Sequence, residues 1–206
     1  MKGRRISNRK MTPRLFTNDV METLSHVHPV TPLVLYLPLV IYGAWVGVRH
    51  QSLLNVMLLF FAGLITWTLV EYGIHRFIFH YQPHSLTGQH LHFIIHGIHH
   101  QYPSDPMRLV MPPVVSIPVA IAIYTGLIAA FGAAHAWPFG AGFALGYLVY
   151  DMTHFVLHHF TCKQVKFAWW LKRYHLRHHF QDETRGFGVS MPLWDYVFGT
   201  VPSKLS

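Results

Sequence analysis

Histidine is unusually abundant in this chain and is the first residue type to consider for chemistry. Its 18 copies outnumber the sixteen lysines and arginines together and also the eight acids. Fourteen of the 18 fall into two windows, eight in residues 75–100 and six in residues 154–179. Each window holds a spaced pair followed by a His-x-x-His-His motif. Because neutral imidazole binds iron, zinc, copper and nickel, the two windows predict a metal centre.

Ten histidines carry these repeated patterns and are the candidate ligands. Positions i, i+3 and i+4 of a helix share one face, so the three histidines of each motif can converge. The first spaced pair is five residues apart, and the sequence leaves open how a helix accommodates that spacing. Ten imidazoles exceed the four ligands of one structural zinc, which favours two metal ions. The ten are His75, His80, His96, His99, His100, His154, His158, His175, His178 and His179.

The other eight histidines lack this pattern, and we expect them not to bind metal. His92 and His159 are the closest cases, since His92 lies four residues before His96 and His159 directly follows His158. The remaining six are interpreted as ordinary polar residues: His26, His28, His50, His84, His90 and His135.

Two acids lie one helical turn before a candidate ligand. Glu71 precedes His75 by four residues, and Asp151 precedes His154 by three, so each acid shares a face with its histidine. Carboxylates in such places commonly accept a hydrogen bond from the second ring nitrogen of a metal-binding histidine. We therefore interpret both acids as candidates for orienting a ligand.

Long uncharged stretches indicate which elements position these side chains. Only 12% of the residues are charged, against roughly a quarter in soluble domains. A helix needs about 20 apolar residues to cross the hydrocarbon core. The pattern predicts an all-α integral membrane protein, in which four transmembrane helices form two hairpins beneath a cytoplasmic, histidine-rich helical cap. The predicted spans are 31–48, 51–74, 110–131 and 137–157.

The distribution of basic residues predicts the orientation. Four crossings place fifteen of the sixteen lysines and arginines on the side of the N-terminus and leave Arg49 on the other side. Basic flanks are retained in the cytoplasm, so both termini and the metal site are expected there. Residues 1–30 are then a basic cytoplasmic segment before a membrane-embedded domain, residues 31–206. Topology explains the net charge of +8 without nucleic acid, and one cysteine permits no internal disulfide.

Several segments around the histidines resemble the fatty acid 2-hydroxylase family, within the sterol desaturase and fatty acid hydroxylase superfamily. The resemblance covers roughly residues 60–200. The histidine motifs are typical of the superfamily, and the segments between them are closer to the 2-hydroxylases. The segments that carry it are WTLVEYGIH (67–75), LHFIIHGIHH (91–100), RLVMPP (108–113), YDMTH (150–154) and GFGVSMPLWDY (186–196).

This resemblance implies a dimetal oxygenase that inserts one atom of O₂ beside the carbonyl of a lipid acyl chain. Iron is expected for activity, since zinc is redox-silent. Tyr150 and Asp151 match positions that matter for activity in the family and are candidate catalytic or substrate-orienting groups. The resemblance assigns His75, His80, His96, His100 and His178 to one metal ion. It assigns His99, His154, His158, His175 and His179 to the other.

Members in eukaryotes often carry a cytochrome b5 domain, for which the roughly 30 residues before the first span are too few. We therefore expect a separate electron donor, of cytochrome b5 or ferredoxin type. It would dock on the basic N-terminal segment or on the group formed by Lys163, Lys166, Lys172, Arg173 and Arg177.

Three alternatives to this activity remain open at the level of the sequence. The first is another oxidation within the superfamily, of a sterol, a carotenoid or an aminolipid headgroup. The second is a histidine-lined membrane metal transporter. The third is a haem-binding membrane cytochrome, although axial ligation of haem uses few histidines.

Overall fold

The computed structural model describes residues 6–7 and 9–203, and every regular element within that part of the chain is helical. The all-α prediction is therefore confirmed for these residues. Two π-helical turns (His75–Phe79 and Phe93–Gly97) and one 3₁₀ turn (Pro106–Arg108) interrupt the α-helices. The α-helices are α1 (Asp19–Ser25), α2 (Thr31–His50), α3 (Leu53–Ile74), α4 (Leu86–His92), α5 (Ile98–Gln101), α6 (Pro113–Phe131), α7 (Ala133–His159), α8 (Lys166–Phe180) and α9 (Leu193–Val197).

Three helical segments are long and apolar enough to cross a membrane: Thr31–His50, Leu53–Phe79 and Pro106–Phe131. They coincide with the first three predicted spans. Only 11% of the second and 6% of the third is buried inside the protein, so most of their apolar surface is left uncovered. Apolar surface of this extent is suited to contact with lipid, which makes this chain a membrane protein.

The fourth predicted span, 137–157, falls within α7, which is not one of these three apolar segments. Helix α7 contacts α2, α3 and α6, and many of its side chains are buried, among them the charged residue Asp151. Because its neighbours enclose it, α7 can carry more polar residues than a helix that faces lipid. It is the central helix of the bundle.

Two glycines allow α3 and α7 to lie unusually close together. A Cβ atom on Gly63 would stand 2.0 Å from the carbonyl oxygen of Phe139, and one on Gly142 would stand 1.8 Å from that of Phe60. No side chain fits at these distances, so glycine is required at both positions. The close approach sets the spacing of the two helices whose C-terminal ends carry histidines of the two windows.

The segment before α2 is fastened to the chain that follows α5. The Glu22 carboxylate pairs with the Arg108 guanidinium at 2.5 Å, and the Val27 N–H donates to the Met107 carbonyl at 2.7 Å. Partial burial opposes ionisation of Glu22, but two backbone N–H donors and Arg108 outweigh it and lower the pKa of the carboxyl.

Candidate metal centre

Five of the ten candidate histidines form a first group, which we call site 1. One ring nitrogen from each lies within 4.8 Å of the corresponding nitrogen of every other member. Four of the five side chains are buried. The members of site 1 are His75, His80, His96, His100 and His178.

The other five form a second group, which we call site 2, with the same limit of 4.8 Å between the ring nitrogens. Four of these five are buried as well. The division into site 1 and site 2 coincides with the two sets that the resemblance implies. The members of site 2 are His99, His154, His158, His175 and His179.

Each His-x-x-His-His motif is shared between the two sites. In the first motif, His96 and His100 belong to site 1, while His99 belongs to site 2. The second motif is divided in the opposite sense, because only its middle histidine, His178, belongs to site 1. The rings of His100 and His179 stack with centroids 4.1 Å apart, so the two sites are adjacent. The three histidines of each motif therefore do not converge on one metal ion but are divided between the two sites.

A π-helical turn explains the five-residue spacing that the sequence left open. The backbone N–H of His80 donates to the carbonyl of His75 at 3.2 Å, which is the i to i+5 bond of a π-helix. The widened turn brings the two rings to a centroid separation of 5.0 Å. A second π-helical turn, Phe93–Gly97, contains His96 and leads into α5. π-Helical turns are frequent at functional sites.

Burial keeps these imidazoles neutral. Desolvation lowers the pKa of His99 to about 3, and neighbouring imidazoles that would also be charged add to the shift. Metal ions bind the neutral form of imidazole, so an environment that resists protonation favours binding. Burial lowers the pKa in the same direction for His96, His100, His175, His178 and His179.

Ring nitrogens face one another at the distances expected around a shared ion. The Nε2 atom of His96 lies 3.2 Å from that of His75 and 3.0 Å from that of His100. In site 2, the Nε2 atoms of His158 and His175 are 2.9 Å apart. Two nitrogens bound to one metal at about 2.1 Å, at right angles, are separated by about 3.0 Å.

Site 2 contains buried ring nitrogens that the protein does not satisfy. Neither ring nitrogen of His99, His154 or His179 has a hydrogen-bond partner among the described residues. A buried polar atom without a partner costs free energy, and a metal ion would satisfy one nitrogen of each ring. The donor sets of both sites therefore fit a pair of metal ions.

The loop between α8 and α9 supplies hydrogen bonds to two ligands of site 1. The Nδ1–H of His75 donates to the Phe187 carbonyl at 2.6 Å, and the Nδ1–H of His178 donates to the Arg185 carbonyl at 2.7 Å. Such bonds fix the tautomer, because a proton held on Nδ1 leaves Nε2 free to bind a metal.

The interpretation of Glu71 as a direct partner of His75 is wrong. The Glu71 carboxylate accepts hydrogen bonds from the backbone N–H groups of Val189 and Ser190, at 2.7 and 2.8 Å, and from the Ser190 hydroxyl. Three donors from the loop therefore occupy this carboxylate. The Nδ1–H of His75 is bound by a loop carbonyl instead.

Asp151 likewise makes no hydrogen bond to His154, whose two ring nitrogens have no such partner among the described residues. The Asp151 side chain is fully enclosed and has Tyr147 as its polar neighbour. The ring of the neighbouring Tyr150 lies beside site 2, with its centroid 5.7 Å from that of His154 and 6.0 Å from that of Trp67.

Asp195 lies in the site region, and no sequence motif predicts a role for it. Its buried carboxylate accepts hydrogen bonds from the backbone N–H groups of Phe187 and Gly188, at 2.9 and 2.8 Å, and from the Thr200 hydroxyl at 2.7 Å. One feature of the sequence could have indicated this role. Asp195 is a single acid in a mostly apolar segment, and a carboxylate that is buried with such a segment must accept hydrogen bonds.

The histidines that lack the repeated pattern belong to neither group. His92 lies in α4, and the His159 ring lies beside that of Phe155 with centroids 4.6 Å apart. Five of the other six are exposed: His28, His50, His84, His90 and His135.

Comparison with known proteins gives consistent matches over these residues. A family model described as fatty acid hydroxylase matches residues 60–200. The dihydroceramide fatty acyl 2-hydroxylase of Arabidopsis thaliana is 37% identical over 191 residues, which cover 92% of this chain and 80% of that protein. The ceramide very long chain fatty acid hydroxylase of Saccharomyces cerevisiae is 41% identical over 188 residues, covering 90% of this chain and 47% of that protein.

The fatty acid 2-hydroxylase of Rattus norvegicus is 37% identical over 209 residues, covering 91% of this chain and 56% of that protein. The chain thus spans most of the plant relative but about half of the yeast and rat relatives. Its fold is similar to a solved structure of full-length scs7p, in which only the hydroxylase domain is visible. That match has a TM-score of 0.85 and 38% identity, and it covers 93% of this chain and 74% of the other.

Proposed function

Because this chain belongs to the fatty acid hydroxylase family, we propose that it is a membrane-embedded dimetal oxygenase that hydroxylates a lipid acyl chain beside its carbonyl. The acyl chain is that of a fatty acid or a ceramide, as the names of the relatives indicate. The observation that carries the proposal is the pair of adjacent five-histidine groups within the matched residues.

The reaction converts a C–H bond to C–OH with one atom of O₂, and the other atom leaves as water. Two electrons and two protons balance this change, and a donor protein supplies the electrons. Iron bound by the ten histidines would supply the redox chemistry that activates O₂. Exposed cations at Lys163, Lys166 and Arg173 offer an acidic donor a complementary surface.

The chain's own residues hold the ions and shape their surroundings. The imidazoles of site 1 and site 2 would bind through one nitrogen each, and the loop carbonyls of Phe187 and Arg185 hold the single N–H proton of His75 and of His178 on Nδ1. Burial of most ligands excludes water from the reacting centre. Exclusion of water protects the reactive oxidant from side reactions.

Tyr150 and Asp151 act as the substrate-orienting groups in this proposal. Two features support the assignment: the Tyr150 ring lies beside the His154 ring, and the Asp151 carboxylate is enclosed only one residue away. The Tyr150 phenol can bind a polar group of a lipid and hold its nearest carbons at the metals, and the enclosed Asp151 carboxylate would act on the substrate through its neighbours in α7.

For topology, we propose that α7 is the fourth span, so that α2 with α3 and α6 with α7 form two hairpins. The turn at Gly132, with a φ of +73°, supports the second hairpin. The spaced pairs of histidines then lie at the cytoplasmic ends of α3 and α7, under a helical cap that carries the two His-x-x-His-His motifs, with both termini in the cytoplasm. Residues 1–30 form the basic N-terminal segment, and residues 31–206 form the hydroxylase domain.

The proposed depth of the site in the membrane supports oxidation near the carboxyl end of the lipid acyl chain. Histidines at helix ends lie near the lipid headgroups, where the first acyl carbons are also found. A transporter would place its site near the middle of the bilayer, on broken helices, so this placement disfavours transport.

The proposal is tested with purified protein in lipid nanodiscs, supplied with iron, O₂ and reductant. We expect the wild-type protein to produce a 2-hydroxyacyl lipid, detected by mass spectrometry, and to bind two metal ions per chain. His99→Ala removes a ligand of site 2 and should abolish product while membrane insertion is retained. His90→Ala alters an exposed histidine of α4 and should change neither quantity.

A different oxidised lipid in cells that express the gene, such as a sterol or a hydroxylated headgroup, would redirect the substrate assignment. Metal uptake into proteoliposomes without any lipid oxidation would contradict the oxygenase itself.

A further inference from the structure

The loop between α8 and α9 connects one buried acid to two histidines of site 1. From this connection we infer that Asp195 is a positioning residue for the metal ion of site 1 and has no such effect on site 2. The inference rests on the proposed function, since it assumes that both sites bind metal. Asp195 acts on His75 and His178 through the backbone of the loop.

The first step of the connection is the anchoring of the loop backbone. Asp195 accepts the N–H groups of Phe187 and Gly188, and the Thr200 hydroxyl binds the same carboxylate. The backbone N–H of Gly186 donates to the Thr200 carbonyl at 2.8 Å. These bonds fix the peptide groups on both sides of residue 187.

The second step is the orientation of two carbonyl groups. The peptide that follows Arg185 directs its oxygen to His178, and the peptide that follows Phe187 directs its oxygen to His75. Between them, Gly186 has a φ of +78°, which a residue with a side chain rarely adopts. The turn at Gly186 therefore allows two nearby carbonyls to reach two different imidazoles.

The third step closes the connection on the other side of the loop. Glu71 lies on α3, one turn before His75, and holds the backbone of Val189 and Ser190. The loop is thus clamped between Asp195 and α3 itself, the helix that leads into His75. Two carboxylates fix the distance from the Phe187 carbonyl to the imidazole that it binds.

Three histidines of site 2 lack a comparable connection, because neither ring nitrogen of His99, His154 or His179 has a hydrogen-bond partner among the residues that the structure describes. These three histidines are carried by α5, α7 and α8. A change at Asp195 should therefore weaken one metal ion and leave the other in place.

The test is a chelator competition on the purified protein loaded with two ions, followed by metal analysis. In Asp195→Asn, the side chain keeps its shape, but an NH₂ group replaces one acceptor oxygen and faces a backbone N–H. Loss of a partner that orients a metal ligand typically lowers affinity by about 10- to 100-fold. We expect one ion to be released at a correspondingly lower chelator concentration, while the second is released as in the wild type.

Two backgrounds identify the ion that is affected. His178→Ala disables site 1, and Asp195→Asn should then have no further effect on the remaining ion. His179→Ala disables site 2, and Asp195→Asn should then weaken the ion that is left. This dependence on background is the signature of a coupled pair, and general destabilisation would not produce it.

Trp194→Phe is the matched control. It removes a hydrogen bond from α9 to α3, between the indole N–H and the Thr68 hydroxyl at 2.9 Å, without touching the loop. Both ions should be retained. Thr200→Val is a second, milder variant, which removes one donor to Asp195 and should weaken the same ion to a smaller extent.

Equal weakening of both ions by Asp195→Asn, or no weakening of either, overturns the inference. If Asp195→Asn does not fold, the same criteria apply to Thr200→Val. If the variants show either of these outcomes while the wild-type protein hydroxylates lipid and binds two ions, only this inference is refuted. A wild-type protein that binds no ion pair contradicts the proposed function, and this inference with it.

Discussion

Site 1 and site 2 contain the same number of imidazoles but are held in different ways. Site 2 takes i and i+4 pairs from the regular helices α7 and α8, with one more histidine from α5. Site 1 depends on two π-helical turns and on carbonyls of the loop after α8. The difference indicates that helix packing positions site 2, whereas the C-terminal segment completes site 1.

The strongest test of this comparison uses neighbouring histidines of α8. His178→Ala removes a ligand of site 1, and His179→Ala removes a ligand of site 2. Because the proposed reaction needs both ions, each variant should lose more than about 100-fold in hydroxylation rate, beyond the usual effect of losing a partner outside the coordination sphere. Product formation under single-turnover conditions measures this loss.

Metal analysis of the same two variants should show that each has lost one ion. Hydroxylation at the wild-type rate in either variant would mean that the missing histidine is not a ligand. Retention of both ions in either variant would have the same meaning.

A weaker effect is expected where the loop is attached to α3. Glu71→Gln replaces one acceptor oxygen of a carboxyl group that binds three loop donors by an NH₂ group. The affinity of site 1 should fall about tenfold, since Glu71 acts on His75 only through the loop. Chelator titration measures the change, and the affinity of site 2 should be unaltered.

Glu22→Gln serves as the control for this variant, because Glu22 pairs with Arg108 in the N-terminal segment. It should leave the affinity of site 1 unchanged. Equal losses at both sites in Glu71→Gln would contradict the distinction between loop and helix support.

Helix spacing should affect the two sites equally. Gly142→Ala places a Cβ atom against the Phe60 carbonyl and forces α3 and α7 apart. Overpacking typically costs about 1–3 kcal/mol. Here the Cβ atom meets backbone atoms, so the loss of stability should be at least of that size, the melting temperature should fall, and both ions should be weakened by a similar factor. Gly126→Ala in α6 meets no atom within 4 Å and should leave stability unchanged. Weakening of site 1 alone in Gly142→Ala would count against the account.

The smallest effect is expected for His159→Ala. His159 is adjacent to His158 in α7, but its ring contacts that of Phe155 and it belongs to neither group. Metal content and hydroxylation should therefore stay within about twofold of wild type, as is usual for substitutions away from special features. A lost ion would show that site 2 extends to this residue.

The features that can be predicted from the sequence are those that depend on helix length and helical periodicity. The three apolar spans follow from uncharged runs, and the pair His154 and His158 follows from i, i+4 spacing on a regular helix. The fourth span is less evident, because α7 is enclosed by its neighbours and carries polar residues. Local sequence patterns thus predict the apolar helices and those histidine pairs that lie on one face of a regular helix.

Features that depend on tertiary contacts are not predicted in this way. The π-helical turn that pairs His75 with His80 leaves no periodic signal in a five-residue spacing. Glu71 shares a face with His75, but loop donors from more than a hundred residues later take its carboxylate. The hydrogen-bond partners of Asp195 lie only five to eight residues away in the chain, but no local pattern indicates that their loop reaches His75, more than a hundred residues earlier.

Anomalous diffraction at the iron absorption edge, from crystals of the iron-loaded protein, would locate the bound ions. Two peaks are expected, one among the five ring nitrogens of site 1 and one among those of site 2, each about 2.1 Å from its ligands. A single peak, or peaks outside the two histidine groups, would contradict the assignment of the two sites.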